Sequence, residues 1–569
     1  MLARSLNAML EDHALSVFTY GAVLLALYTT GYLILLLVVE PYKSYLRFLP
    51  GPPAHGLFST KQLMDMQNSR IAPQLHETYE KLYGKNIRCQ GMGYFDQRLL
   101  TVDPVSLDYV LSRADVFEKP WQTRRFLGRL VGGGLDSGGI FTTEGEEHRK
   151  LRRIIAPAFS NQSLKNLAPL FLRKSFELRD KLRSVLAVPQ HVSRPGIEVQ
   201  QFPGESCPRV RLDMHNWTGR ATFDIIGMAG FGYEFNAIQD ETNPFYNAYH
   251  CMFDVVRQSD SFVHTVGLLL PQWVANSIPD KRTKEVKRCR RVIDLETKAL
   301  FAERREQIAA EKAAGVTASR EFVLLNLLMR SNETNSANLT ESDILAQIDS
   351  IIFAGYDTTS VAIQWGLWEL TRYPVVQARL RTELGPLTAM LRQFVLTDNS
   401  ETSNNAHGSI RVATKDDIIP VSTPVRNENG ETSKAWVQNV KTSAAGGIPI
   451  RKGEFVQIPI EGMNLLKSVW GEDAHEFNPD RWVDLPPAVK MNPGIYASLL
   501  TFSAGPNSCP ASRWVQLEIK IMVAVLIASF EFTGASPMGW TNFFVNRPHV
   551  QNESRKGKLT LQITNPVIN

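Results

Sequence analysis

Two short stretches carry residue types that could do chemistry. In FSAGPNSCPAS, Phe502 to Ser512, one cysteine stands behind a glycine turn and ahead of RWVQLEIKIMVAVLIASF, which has a helical pattern. Cys509 is either a buried thiol or a metal ligand. A thiolate is favoured at the start of a helix, where the dipole and free N–H groups attract negative charge. Pro510 suits a first helical position, since its missing N–H is not needed there, and Gly505 permits the tight turn before it. The second stretch is AGYDTT, Ala354 to Thr359. Gly355, Asp357, Thr358 and Thr359 are poor helix formers set in the middle of an apolar helix. Threonine hydroxyls can bond back to carbonyls one turn earlier and bend the helix. The small pair Ala354 and Gly355 leaves space above that face, and an acid beside hydroxyls offers a proton relay. A helix-packing notch with a solvated aspartate is the plain alternative.

These stretches need long elements to hold them. Thr340 is an N-cap with Asp343 three residues on, and the helix they start runs until Pro374 blocks it. No internal repeat is visible, and long helix-period runs dominate. Strands are expected near Asn86 to Asp103, at DIIPVSTPV and at EFVQIPI. The fold class is therefore mainly α with a minor β component. Two polar insertions, Val188 to Arg209 and Asp398 to Ser409, interrupt the helical runs without separating independent segments.

From Ala14 to Val39 there are 26 residues without a charge. As a helix they would reach roughly 39 Å, enough for a tilted span of a core about 30 Å thick. The charges on either side put the C-terminal side in the cytosol. The expected organisation is a lumenal N-terminus over 1–13, a transmembrane anchor over 14–39, a proline-rich hinge over 40–53 and one large domain over 54–569. The net charge of +5 comes with no RNP, zinc-finger or helix-turn-helix signature, so no nucleic-acid partner is expected. Five scattered cysteines without CxxC spacing read as reduced thiols. All but Cys509 are expected to be packing residues.

Taken together, the motifs resemble the cytochrome P450 family, and specifically a membrane-anchored fungal member. AGYDTT resembles its oxygen-binding helix motif, FNPDRW (Phe477 to Trp482) its meander, and FSAGPNSCPA its cysteine loop. EGEEHRKLRRIIAPAFS, Glu144 to Ser160, is similar to its haem-propionate helix, with His148 and Arg152 at i, i+4 on one face. LPGPP, Leu49 to Pro53, resembles the stiff link after the anchor.

The resemblance implies a P450-like fold preceded by one transmembrane helix. It implies haem b with Cys509 as the axial thiolate, which pushes electron density toward iron and favours O–O cleavage. Phe502, Gly505 and Asn507 would shape the thiolate loop, His148 and Arg152 would meet the propionates, and Ala354 and Gly355 would border the oxygen site. Asp357 and Thr358 would guide protons to oxygen, with Thr359 in support. The reaction implied is insertion of one oxygen atom from O2 into a lipophilic small molecule of secondary metabolism, such as a terpenoid or polyketide. Electrons would come from NADPH through a separate cytochrome P450 reductase in the endoplasmic reticulum membrane, with cytochrome b5 as a second candidate donor. Apolar access segments at Trp121 to Gly132 and Phe253 to Pro271 fit such a substrate. The glycine-rich VGGGLDSGG, Val131 to Gly139, reads as a loop near the substrate site, since no strand–turn–helix context supports phosphate binding.

Two departures stand out. The family carries an E-x-x-R helix between the oxygen-binding helix and the meander, locking the meander arginine, here Arg481. Here E-x-x-R occurs only at Glu146/Arg149, Glu285/Arg288 and Glu369/Arg372, none of them in that place. A buried arginine without its carboxylate costs on the order of 3–5 kcal/mol, so Arg481 needs another acid, for which Asp416, Asp417 and Glu472 are candidates. Position 507 is usually basic, and Asn507 forfeits a charge-assisted bond worth roughly 1–3 kcal/mol. A catalytically impaired relative, or an incomplete gene model that lost the helix, is the alternative to a working monooxygenase. A haem-thiolate isomerase or dehydratase is a third reading.

Overall fold

The structure, a computed structural model, describes residues 19–68, 71–132, 138–187, 197–200, 209–257, 281–314, 323–333, 339–384, 408–427, 430–438, 445–534, 538–541, 547–550 and 559–564. The expected E-x-x-R position and most of the 398–409 tract lie outside them, as do much of the 188–209 insertion, the core of VGGGLDSGG and the chain from 258 to 271. The helices used below are, in chain order, α1 (Thr19–Lys43), α2 (Trp121–Val131), α3 (Gly145–Ile155), α4 (Asn161–Leu186), α5 (Met214–Ile226), α6 (Pro244–Arg257), α7 (Lys281–Ala313), α8 (Glu341–Arg372), α9 (Pro374–Leu384) and α10 (Ser512–Ser529).

The chain divides into two compact units, each made of two stretches: Met1–Val110 with Ser409–Pro459, and Leu111–Gly408 with Ile460–Asn569. In the first unit, α1 has a mean hydropathy of 2.4 over its most apolar window and buries none of that window in protein. It runs four residues beyond the expected end at Val39. Pro41 cannot donate to the preceding turn, and the wide π turn at Leu35–Val39 just ahead of it absorbs that break. Lys43 then closes the helix by pairing with Glu40 at 3.0 Å. The hinge is not a free spacer. Pro50, Gly51 and Pro52 are buried, and the Arg88 N–H donates to the Pro50 carbonyl at 2.9 Å. A Cβ on Gly51 would lie 2.1 Å from the Arg88 carbonyl oxygen, so the backbones meet only because residue 51 is glycine.

Strands fall within the expected stretches at Asn86–Asp103, DIIPVSTPV and EFVQIPI, and two further strands, Ser409–Ala413 and Gly447–Ile450, were not expected. Asn86–Gln90 pairs antiparallel with Gln97–Thr101, which pairs parallel with Phe455–Ile458, which pairs antiparallel with Ser409–Ala413. Asp417–Pro420 pairs antiparallel with Gly447–Ile450.

The second unit is built around α8. Thr340 and Asp343 form a reciprocal capping box at its start, as the sequence predicts. Its other end is Arg372, with Tyr373 as C-cap ahead of Pro374. Packed against α8 are α5 and α10; α10 packs on α4, and α6 on α7. One hydrophobic core runs through these helices and takes in Phe223, Phe353, Tyr356, Phe502 and Trp514. A four-stranded antiparallel sheet, ordered Glu531–Gly534, Thr560–Thr564, Arg209–Asp213 and Ile197–Gln200, lies in the same unit. A separate pair joins Met538–Thr541 to Arg547–Val550.

Candidate active site

The cysteine loop is a sequence of tight turns. Leu500–Phe502 and Gly505–Asn507 are single 3-10 turns, separated by Ser503 at a φ of 59°. Gly505 has a φ of 66°, and a Cβ there would lie 2.1 Å from the Leu111 carbonyl oxygen. Both the left-handed conformation and the contact require glycine. The Cys509 N–H donates to the Phe502 carbonyl at 2.9 Å, which closes the loop and leaves Phe502 buried beneath it. Pro510 is not the first helical residue. It occupies a turn, and α10 begins at Ser512 with Ala511 as its N-cap. Within that turn the Ala511 N–H turns back to the Cys509 sulfur.

The residue keeps some surface exposure, but its sulfur lies among enough protein that burial pushes the thiol up to about 11. The Ala511 N–H and the Arg152 guanidinium oppose that shift, since both favour thiolate. Arg152 reaches the loop from α3, donating through Nη1 to the Ser508 carbonyl and through Nη2 to Ser508 Oγ at 3.1 Å. His148 lies one turn earlier on α3 and is buried. The Asn507 Oδ1 atom is buried and has no hydrogen-bond partner. The structure thus brings together Phe502, Gly505, Asn507, Cys509 and Arg152.

The AGYDTT residues fan out around α8 and do not point one way. Thr358 Oγ1 donates to the Ala354 carbonyl at 2.6 Å, the back-bond anticipated for a mid-helix threonine. Ala354 and Thr358 are both part-exposed, in a helix whose neighbouring positions are mostly buried. Gly355 faces α5 instead, where a Cβ would lie 2.8 Å from Ile226 Cγ1. Its smallness therefore serves helix packing and does not open space beside Ala354. Thr359 is fully buried with its Oγ1 unpartnered. Asp357 is neither solvated nor bonded to the threonines. Its carboxylate pairs with Arg547, and both side chains are 4% exposed.

The pair continues outward. Arg547 Nη1 lies 3.4 Å from His215 Nε2, and Gln364 Nε2 lies 3.0 Å from His215 Nδ1. A guanidinium can only donate, so Nε2 is the ring's acceptor. Gln364 Nε2 also donates to Thr218 Oγ1 at 3.2 Å. The His215 ring sits 5.0 Å from that of His250, and His250 Nε2 is 3.8 Å from Asp254. His250 and Asp254 are part-exposed. Arg547 was invisible to sequence reasoning, because a lone arginine in VNRPHV has no periodic or motif signal.

Other groups were also missed. Asp349, two turns before Asp357, pairs with Arg290 and accepts from Thr297 Oγ1 at 2.5 Å, tying α8 to α7. Burial raises its carboxyl pKa despite these partners. Gln347 donates to the Gly138 carbonyl and accepts from the Ile140 N–H, both at 3.2 Å. The described end of the glycine-rich loop is therefore fixed on α8. On α2, Arg129 has a buried Nη2 without a hydrogen-bond partner. Burial and the nearby Arg125 both lower its pKa.

Arg481 finds none of the acids expected for it. It donates to the Trp470 carbonyl at 2.8 Å and the Asp473 carbonyl at 2.6 Å, and pairs with Asp473 Oδ2 at 2.9 Å. Glu472 is taken by Lys467, Asp416 by the Lys452 N–H and Asp417 by Tyr109. The three E-x-x-R matches are local i, i+3 ion pairs on their own helices, at 2.5, 3.6 and 3.0 Å.

The residues present suit an anionic, iron-bearing prosthetic group. A sulfur held by an N–H and an arginine can supply a thiolate. Arg129 keeps a buried cationic nitrogen without an acceptor. Comparison with known proteins points the same way. The cytochrome P450 family model matches residues 50–395 and 438–546. Cytochrome P450 monooxygenase 205 of Postia placenta is 32% identical over 549 residues, covering 92% of this chain and 93% of that protein. The monooxygenase claW of Ampulloclitocybe clavipes is 28% identical, covering 85% and 86%. The ganoderic acid synthetase of Ganoderma lucidum is 25% identical, covering 82% and 85%. The family-model match runs through both the cysteine loop and the AGYDTT helix, and the comparisons do not favour an impaired relative. The chain belongs to the cytochrome P450 family of monooxygenases, whose haem iron, O2 and reductase-supplied electrons oxidise small molecules.

Proposed function

We propose that this chain is an endoplasmic-reticulum monooxygenase. It would hydroxylate a lipophilic secondary metabolite, of terpenoid or polyketide type, at haem b. The observation that carries the reading is the Cys509 loop, in which the Ala511 N–H and Arg152 both favour a thiolate at the sulfur. Cys509 would be the axial ligand, and His148, Arg152 and Arg129 would meet the propionates. When bound, haem supplies the oxygen activation, and the thiolate favours O–O cleavage.

The remaining work falls to side chains. Thr358, held by the Ala354 carbonyl, presents its hydroxyl from a part-exposed position on α8. Asp357 is the proton donor behind it. Arg547 pairs with Asp357 and keeps it turned away from Thr358 until its grip loosens. Phe353 and Phe253, stacked at 4.8 Å, provide an apolar wall that excludes water and suits a lipophilic substrate. The anchor α1 places the enzyme in the membrane where such substrates partition, facing the cytosol with its lumenal N-terminus behind it. NADPH–cytochrome P450 reductase, with cytochrome b5 as a second donor, would supply electrons.

Co-expression with that reductase in microsomes, fed terpenoid and polyketide panels under 18O2, tests the proposal. One labelled oxygen atom in a product, dependent on NADPH, is expected. Label from water, or turnover that persists without O2, would exclude a monooxygenase.

A further inference from the structure

Away from the Cys509 loop, α6 and α7 bring together three groups that the oxidation does not use. Cys251 comes from α6, and Glu285 and Cys289 from α7, at i, i+4 on one face. Their ligand atoms all lie within 4.8 Å of one another. Cys251 Sγ donates to Glu285 Oε1 at 3.7 Å. Cys289 is 3% exposed, whereas Cys251 and Glu285 are only partly covered. The cluster therefore has a closed floor and an accessible rim. Two cysteines read from the sequence as separate packing residues, 38 positions apart, here face one another across a helix pair.

We propose that Cys251, Glu285 and Cys289 form a binding site for a soft divalent cation of the zinc class, clamping α6 to α7. Two sulfurs and a carboxylate oxygen are a donor set such an ion takes, with water in the fourth position. Metal–sulfur bonds of about 2.3 Å put tetrahedral ligand atoms roughly 3.5–4 Å apart, so the observed spacing needs only small side-chain movements. Binding displaces one proton from each thiol, and both leave to solvent; no oxidant or reductant takes part. Arg288, exposed and 3.6 Å from Glu285, must release that carboxylate.

A second cluster, His215, His250 and Asp254, has similar spacing but a different fate. Arg547 and Gln364 already engage both nitrogens of His215, and a buried guanidinium repels a cation.

The clamp bears on the active-site wall. Two residues after Cys251 on α6 is Phe253, which stacks on Phe353 of α8 and lies under Arg547, 4.9 Å from ring centroid to guanidinium. Fixing α6 against α7 fixes that wall.

The test uses the full-length haem-loaded protein, reduced, chelator-treated and desalted. Titration with Cd2+ as a probe should produce an ultraviolet thiolate-to-metal charge-transfer band saturating at one ion per chain. Zn2+ should displace Cd2+ and raise the Tm. Cys251→Ser and Cys289→Ser should each weaken Zn2+ binding at least 100-fold, and Glu285→Gln about tenfold. The visible haem spectrum, which reads the Cys509 site independently, should not change. The His250→Gln variant should keep full affinity. Absence of the band, or a band of equal size in the Cys251→Ser/Cys289→Ser double variant, would overturn the site.

Discussion

The guanidinium of Arg547 closes on the carboxylate of Asp357, 190 residues earlier in the chain, and both are almost fully buried. The contact joins the strand Arg547–Val550 to the middle of α8, at the residue the sequence marks as the proton donor. Breaking one side of such a pair leaves an uncompensated buried charge. Arg547→Gln is expected to lower stability by about 3–5 kcal/mol. Adding Asp357→Asn should recover most of that loss while leaving turnover low. Thermal unfolding and NADPH-dependent product formation, measured on the single and double variants, separate the two effects. Full activity in the double variant would remove Asp357 from proton delivery.

Glu518 on α10 gives the stability a pH dependence. It is buried, its Oε2 accepts from Trp514 Nε1 at 3.0 Å, and its Oε1 has no partner. Burial pushes its carboxyl from 4.5 to about 8. The folded state therefore holds a proton that the unfolded chain releases above 4.5. Its contribution is fully present below pH 4.5 and is lost as pH rises to about 8, with a slope near 1.4 kcal/mol per pH unit. Glu518→Gln should match the parent at pH 5 and melt at a higher temperature at pH 8.5. An equal difference at both values would show that Glu518 ionises normally.

Asn507 offers a gain of function. A cation at this position should add about 1–3 kcal/mol to the grip on a haem carboxylate. Asn507→Arg is expected to raise the haem-to-protein ratio after purification and to slow haem loss to an apo-globin acceptor. Unchanged retention would mean that residue 507 does not face a propionate.

Gly355 tests what its smallness is for. Gly355→Ala would press a methyl group against Ile226 and cost about 1–3 kcal/mol through overpacking. Shortening the partner, as Ile226→Ala, should return part of that stability in the double variant. If Gly355→Ala alone left the melting temperature unchanged but altered the Soret spectrum, the residue would border the oxygen site after all.

What the sequence made legible was local. The Thr340–Asp343 capping box, the turn at Gly505 and the placing of His148 and Arg152 on one helix depend on near neighbours, and periodicity or turn chemistry reports them. So do the strands at Asn86–Gln90 and Phe455–Ile458. What it hid was the far partner. Nothing in AGYDTT says that Asp357 meets Arg547, or that Gly355 meets Ile226, because both depend on how α8 is rotated within the core. Arg481 shows the same limit. Asp473 lies only eight residues before it, yet the 3-10 turn at Pro479–Val483 decides that this acid, and not neighbouring Glu472, is reached. Pro510 suits a first helical position by its chemistry, yet the helix starts two residues later at Ser512.

The central claim is that Cys509 binds haem iron as a thiolate although residue 507 lacks a charge and Arg481 relies on Asp473. The carbon monoxide difference spectrum of the reduced, anchored full chain tests it most directly, with Cys509→Ser and Asp473→Asn alongside. A thiolate-type Soret band is expected in the parent, absent in Cys509→Ser and weakened in Asp473→Asn. A band of the neutral-thiol or histidine type in the freshly purified parent, or no haem at all, would contradict the account.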